Sequence, residues 1–180
     1  MRVIAGVARG QQLSAPRDRG TRPITDRVKE TLFAILGDRV LEARVLDLYA
    51  GIGSIGIEAL SRGASHATFV EQARPALVAL RANLERTRLS DLADVVPLDV
   101  ERFLAGATEQ RWDLVALDPP YELRAIVAPL RAVEPHLARG AMVVIKHFWR
   151  TEVPEVPGLH SVRQRRFGET MLSFLEAQGR

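Results

Sequence analysis

The chain contains no cysteine. That excludes a disulfide framework, a thiolate metal site and any chemistry that needs a cysteine nucleophile. Lysine is almost as scarce: of 25 cationic residues, only Lys29 and Lys146 are not arginine. Arginine gives planar, bidentate contacts to phosphate. Here it is spread over the whole chain, as a compositional bias would spread it. Long apolar runs are missing as well; none approaches the roughly 18–20 residues of a membrane span. The opening MRVIAGVARG lacks the apolar stretch and cleavage site of a secretory signal, so a cytoplasmic location is expected. The four histidines (His66, His136, His147, His160) are scattered without ligand spacing, so no metal is expected. His147, near the end of the fifth apolar run, could border a cleft but reads more readily as a surface histidine. What remains is 180 residues, 47 % apolar and 26 % charged, enough for one soluble domain with a proper core.

Charge is unevenly placed. Residues 1–30 carry seven cations (Arg2, Arg9, Arg17, Arg19, Arg22, Arg27, Lys29) and three anions (Asp18, Asp26, Glu30). The other 150 residues carry 18 cations and 19 anions. A basic arm on a near-neutral body suits a polyanion such as nucleic acid, although a solvated tail has the same composition. Residues 1–24 read as an irregular or hairpin-like arm of the same domain, and 25–180 as its body.

Thr25 or Asp26 is placed to cap a helix in which Val28, Thr31, Leu32, Ile35 and Leu36 share one face, with Gly37 at its end. Beyond it, short apolar runs alternate with helical segments. Strands are expected at 44–49, 67–71, 94–98, 113–118 and 141–146. Helices are expected at 54–62, 75–88, 100–105 and 122–138, the last interrupted near Pro129 and Pro135. Apolar strands separated by helices imply a parallel sheet covered on both faces. Residues 160–167 and 169–176 read as two strands joined by a tight turn at Gly168, an antiparallel end to that sheet.

The segment VLDLYAGIGSIG (45–56) is a strand, a glycine-rich turn and a helix start. Gly51, Gly53 and Gly56 fit G-x-G-x-x-G, which lets backbone approach a ligand at a helix N-terminus. Glu71 closes the next strand, where an acid binds ribose hydroxyls. The loop alone fits a dinucleotide, S-adenosylmethionine or a purely structural turn. Two acids favour S-adenosylmethionine. Asp47 lies inside the strand, within reach of the methionine end of that molecule. Asp99 ends the third strand, where it could accept from an adenine amine while the Val100 N–H serves a ring nitrogen. Asp99 as a helix cap is the competing reading.

ALDPPYE (116–122) follows the fourth apolar run. Two prolines cannot donate to a sheet, so the strand stops abruptly. An acid at that point faces the crevice at the carboxyl ends of the strands. An exocyclic base amine is planar, with its lone pair delocalised. Two acceptors binding its hydrogens, the Asp118 carboxylate and the Pro119 carbonyl, would aim that lone pair at a sulfonium methyl. Pro120 stiffens the turn, and the ring of Tyr121 can stack on the base. Asp118 can also take the proton.

These residues resemble a known family. Asp-Pro-Pro-Tyr with this glycine loop resembles the amino-methyltransferases of the Rossmann-like, S-adenosylmethionine-dependent class. MRVIAGVARGQQL, then RPITDRVKETLFAIL (22–36), is similar to the opening of the RsmD family. The resemblance runs from Met1 to about Glu122 and more loosely beyond. It implies an α/β, Rossmann-like methyltransferase fold: a mostly parallel seven-stranded sheet with an antiparallel C-terminal strand and helices on both faces. It implies methylation of the N2 amine of a guanine in small-subunit (16S) ribosomal RNA, within an assembled or assembling subunit. Asp118, Pro119, Pro120 and Tyr121 become the catalytic motif. Asp47, Tyr49, Ala50, Gly51 and Gly53 become the loop under S-adenosylmethionine, with Glu71 on the ribose, Asp99 and Val100 near the adenine, and Asp118 bordering the cofactor. Thr25, Arg22, Asp26 and Arg27 would border the cleft, Thr25 touching the cofactor and Arg22 and Arg27 the RNA, and Arg2, Arg9 and Arg17 would meet phosphate. The chain departs from the family at VVIKHFWR, where relatives often carry an acid near Lys146, and at a less basic GVARGQQL.

Other chemistries fit less of the chain. Methylation at pyrimidine C5 needs a thiolate. A DNA amine methyltransferase would need a target-recognition domain, and a protein glutamine substrate leaves the basic arm unexplained. An NAD-binding or non-catalytic Rossmann protein, or an RNA-binding module, needs no Asp-Pro-Pro-Tyr. A monomer is the default expectation.

Overall fold

Seven strands form one sheet in the computed structural model, which describes residues 1–16, 24–108, 111–119 and 124–178. In chain order they are β1 (Arg44–Leu48), β2 (His66–Val70), β3 (Ala93–Val96), β4 (Trp112–Leu117), β5 (Leu137–Phe148), β6 (Leu159–Phe167) and β7 (Thr170–Ala177). The order across the sheet is β3-β2-β1-β4-β5-β7-β6. β1 to β5 are mutually parallel, and β7 is antiparallel to both β5 and β6. Among the described residues, five α-helices accompany them: α1 (Asp26–Leu36), α2 (Ser54–Ser61), α3 (Arg74–Thr87), α4 (Val100–Gly106) and α5 (Arg124–Val133).

The strand side chains alternate between two cores. Val45, Phe69, Ala116, Val144 and Phe174 pack with Leu32 and Phe33 of α1, Ile57 of α2 and Leu80 of α3. Leu46, Val70, Val115 and Ile145 pack on the other face with Leu104 of α4 and Leu130 of α5. Parallel strands need cover on both faces, and this sheet has it.

Element starts follow local chemistry. Thr25 Oγ1 accepts from the Val28 N–H at 3.4 Å, and Gly37 closes α1 at φ 54°. Asp99 caps α4 by accepting from the Arg102 N–H at 3.1 Å. Several boundaries depart from the sequence pattern. β3 stops at Val96, because Pro97 has no N–H to donate. The helix expected at 122–138 is described from Arg124 and ends at Val133. A 3-10 turn over Glu134–His136, containing Pro135, replaces its last part. β5 starts four residues early, where Leu137 pairs with Trp112 across a register shift.

Residues 1–16 of the N-terminal arm are not a solvated tail. Val3, Ala8 and Leu13 are buried in the first core. Arg2 and Gln12 form an antiparallel bridge, so the arm is hairpin-like. Its anchor is Glu58 of α2, which is fully buried. Glu58 accepts from the Ile4 and Ala5 N–H groups (2.8 and 3.0 Å) and from Arg62 (2.8 Å). Lys29, also fully buried, lies 3.3 Å from Glu58 and donates to the Arg2 carbonyl at 2.6 Å. Further along the described arm, Asn83 of α3 bonds Ser14 through both backbone groups and donates to the Ile52 carbonyl.

Candidate active site

The strand order reverses between β1 and β4: β1 leads outward to β2 and β3, and the chain then returns to β4 and β5. Ligands of open α/β sheets bind at such a point, beyond the carboxyl ends of the strands. Asp47 and the glycine loop end β1, Glu71 ends β2, Asp99 follows β3, and Asp118 ends β4. Four acids separated by up to 71 positions in sequence are thus drawn to one end of the sheet.

The glycine loop is bent for close approach. Tyr49, Gly51 and Gly53 all have positive φ (58°, 56° and 81°). A Cβ at Gly51 would meet no atom within 4 Å, so the loop opens onto free space. A Cβ at Gly53 would collide with Leu80, and one at Gly56 with the Phe69 ring. Gly56 therefore serves close helix–sheet packing. Glu71 holds the loop from beside it, accepting from the N–H groups of Gly51 (2.8 Å), Gln72 (2.9 Å) and Ala73 (2.7 Å). Tyr49 is half-buried, and burial with Asp99 and Glu101 nearby raises its phenol to about 12.

Asp47 is buried, and its Oδ2 accepts from the Gly56 N–H at 2.9 Å. Burial pushes its carboxyl up to about 8; the Gly56 hydrogen bond opposes this, and Asp118 and Glu71 add to it. A carboxyl whose folded-state value lies above its unfolded value stabilises the fold below the unfolded value. That contribution is lost as pH rises through the folded one. The expected result is that wild-type stability falls between about pH 4 and pH 8 relative to Asp47→Asn. Urea midpoints of the two proteins across that range test it, and parallel curves would contradict it.

Asp118 is the last residue of the β4 ladder, its N–H reaching the Leu48 carbonyl at 3.4 Å. Pro119 is buried and ends the strand. Leu117 pairs with Ile145, so Asp118 stands level with Lys146 of β5. The Lys146 ammonium donates to both carboxylate oxygens, at 2.7 and 2.9 Å. The pair is partly buried, with side chains 11 % and 27 % exposed for Lys146 and Asp118. Burial raises the Asp118 carboxyl, and Lys146 works against that rise. The crevice therefore offers a carboxylate acceptor with an ammonium donor beside it. The two elements that carry them are neighbours only in the folded sheet.

Comparison with known proteins is consistent with this geometry. The family described as conserved hypothetical protein 95 matches residues 1–176. Ribosomal RNA small subunit methyltransferase D of Escherichia coli K12 is 34 % identical over 184 residues, covering 99 % of this chain and 92 % of its own. The chain belongs to the RsmD family.

Within the RsmD family, YlbH of Bacillus subtilis strain 168 is 36 % identical, covering 99 % of this chain and all of its own. The solved structure of yhhF from Escherichia coli superposes with a TM-score of 0.89 at 32 % identity, covering 100 % of this chain and 99 % of its own. An RNA methyltransferase from Salinibacter ruber, solved with S-adenosyl-L-homocysteine, shares the fold at 17 % identity and a TM-score of 0.68, covering 88 % of this chain and 95 % of its own. The Rossmann-like methyltransferase fold read from the sequence is thus the fold of the chain.

The remaining sequence-derived residues are placed as follows. Thr25, Arg27 and Arg9 are exposed. Arg2 is exposed and pairs with Asp26 at 3.1 Å. Arg9 follows Val7 and Ala8, which bond Ser61 at the end of α2 opposite the glycine loop. It stands roughly one helix length, ~10 Å, from the loop. Ala50 is buried and donates to the Val70 carbonyl at 3.1 Å, and Val100 is buried at the start of α4. Arg17, Arg22, Pro120 and Tyr121 lie outside the described residues. His147 corrects the sequence reading: it is buried, with Nε2 2.8 Å from Ser173 Oγ of β7. Its burial against β7 excludes a surface role. Among the described residues, no cluster of side chains could hold a metal ion, and no helix is long and apolar enough to cross a membrane.

Proposed function

We propose that this chain transfers the methyl group of S-adenosylmethionine to the exocyclic N2 amine of a guanine in small-subunit ribosomal RNA. The observation that carries this reading is the Asp118–Lys146 pair at the carboxyl end of β4. The Watson–Crick edge of guanine presents two adjacent donors, N2–H and N1–H, and then an acceptor, O6. A carboxylate flanked by an ammonium is complementary to that edge. Adenine places an acceptor, N1, beside its amine and has no O6, so it fits the pair less well. The name of the Escherichia coli relative supports ribosomal RNA of the small subunit as the substrate class.

S-adenosylmethionine supplies an electrophilic methyl on a sulfonium. The glycine loop fits its binding, being open above Gly51 and braced by Glu71. Asp47, Tyr49, Ala50, Gly51 and Gly53 would hold the methionine end, Glu71 the ribose, and Asp99 and Val100 the adenine. Asp99 keeps its capping bond while one oxygen remains for the amine. The target base must be flipped out of any stack. Asp118 and the Pro119 carbonyl then bind the N2 hydrogens and aim the nitrogen lone pair. Lys146 holds the carboxylate in position with two of its N–H groups and would offer the third to O6. After transfer the nitrogen carries an extra proton, which Asp118 accepts. Alignment and preorganised charge supply most of the rate.

The test is a transfer assay with labelled S-adenosylmethionine and small ribosomal subunits lacking base methylation, with naked RNA and DNA in parallel. N2-methylguanosine in the ribosomal RNA is the expected product. Label on adenine, cytosine or protein would overturn the guanine assignment.

A further inference from the structure

The basic excess read from the sequence is N-terminal, but the fold gathers a second one. β6 is the outer strand of the sheet, and His160 through Arg166 are exposed. From Leu159 to Gly168 it carries Arg163, Arg165 and Arg166 and no acid. The β6–β7 turn brings Phe167 and Thr170 level with Phe148, at the carboxyl end of β5. There Trp149 extends the ladder, donating to the Glu169 carbonyl at 2.9 Å. Two guanidinium groups lie over its ring, Arg166 at 3.8 Å and Arg150 at 4.7 Å from the centroid. Arg166 also donates to the Gly168 carbonyl at 2.8 Å.

This rim is continuous with the candidate active site. Trp149 lies three residues beyond Lys146 and one past the end of β5, about 10 Å along the chain. Charges on an outer strand also guard against edge-to-edge pairing. That role is met by a charge of either sign along the strand. It does not account for two guanidiniums stacked on one indole beyond the strand end, beside the crevice. Stacking fixes the planes of these groups before any partner arrives, and a fixed fork suits phosphate.

We propose that Trp149, Arg150, Arg163, Arg165 and Arg166 form a docking rim for the phosphates of the single-stranded RNA that flanks the target base. The inference rests on the RNA reading above and adds a surface to it. Trp149 orients the guanidiniums, and the arginines meet the backbone without reading sequence. A strand held there would present the next one or two nucleotides to Asp118.

The test compares the wild type with Arg150→Gln/Arg165→Gln/Arg166→Gln and, as a second variant away from the indole, Arg163→Gln. Affinity for a single-stranded RNA oligonucleotide is measured across salt. Each lost phosphate contact lowers the slope of log affinity against log salt by about 0.7. The triple variant is expected to lose about two units of slope and at least about tenfold in affinity near 0.1 M salt. Arg163→Gln is expected to lose up to one such contact. With small subunits as substrate, KM rises in the triple variant while kcat and donor affinity hold. Unchanged slope and KM in both variants would overturn the rim. Weaker binding to whole subunits with unchanged binding to naked RNA would assign the surface to a ribosomal protein and overturn it equally. A wild type that methylates no ribosomal RNA, yet loses oligonucleotide slope on substitution, would sink the proposed function and leave the rim standing.

Discussion

Asp118→Asn is expected to lower methyl transfer by about 10³-fold while donor affinity stays within a few-fold. The substitution keeps the shape of the side chain at the end of β4 and removes its charge. An amide turns one acceptor oxygen into an NH2 group that faces the hydrogens of the substrate amine. It also deprives Lys146 of the carboxylate that it reaches at 2.7 and 2.9 Å. The base amine then lacks both the partner that aims its lone pair and the group that takes its proton. Single-turnover assays with labelled donor measure the chemistry, and calorimetric titration of the donor measures the loop. Turnover near that of the wild type would remove Asp118 from the mechanism. Loss of donor binding in parallel would move its role to the cofactor.

The largest effect on stability is expected at Glu58, away from the crevice. Its carboxylate is fully buried and bonded to Lys29, Arg62 and two backbone N–H groups of the arm. Burial lowers the Lys29 ammonium, and Glu58 is the main group that counters this. Breaking such a pair leaves an uncompensated charge in the interior, which costs about 3–5 kcal/mol. Glu58→Gln removes the charge and retains one acceptor, so most of that loss remains. Urea unfolding of the variant measures it. A change under about 1 kcal/mol would show that Lys29 deprotonates or reaches water instead.

Strand and helix identities were legible because apolar runs and capping residues are local signals. Thr25, Gly37 and Asp99 do in the structure what their residue types predict. Boundaries set by partners were not legible. Nothing in LARG marks residues 137–140 as strand; pairing across a register shift at Trp112 makes them so. The four acids of the crevice could be picked out because Glu71, Asp99 and Asp118 stand at the ends of apolar runs and Asp47 interrupts one. The Lys146 partner of Asp118 could not, because the two are 28 residues apart and meet only through the β4–β5 register. One signal was available: both lysines of an arginine-rich chain sit in ion pairs with little exposure. A compact ammonium fits where a guanidinium does not. His147 misled for a related reason, since its burial depends on β7, which the chain reaches more than 20 residues later.

The arm also settles when order is imposed on the glycine loop. Its hydrogen-bonding partners Glu58, Ser61 and Asn83 lie 53 to 69 residues further along the chain. Closing loops of that length costs conformational entropy that grows only slowly with length. The cost falls on folding, together with roughly 1–2 kcal/mol for each residue fixed. Asn83 joins Ser14 of the arm to Ile52 of the loop, so the folded arm braces the loop. A ligand arriving above Gly51 meets backbone whose freedom is already spent, and its binding energy is not drawn down in arranging it.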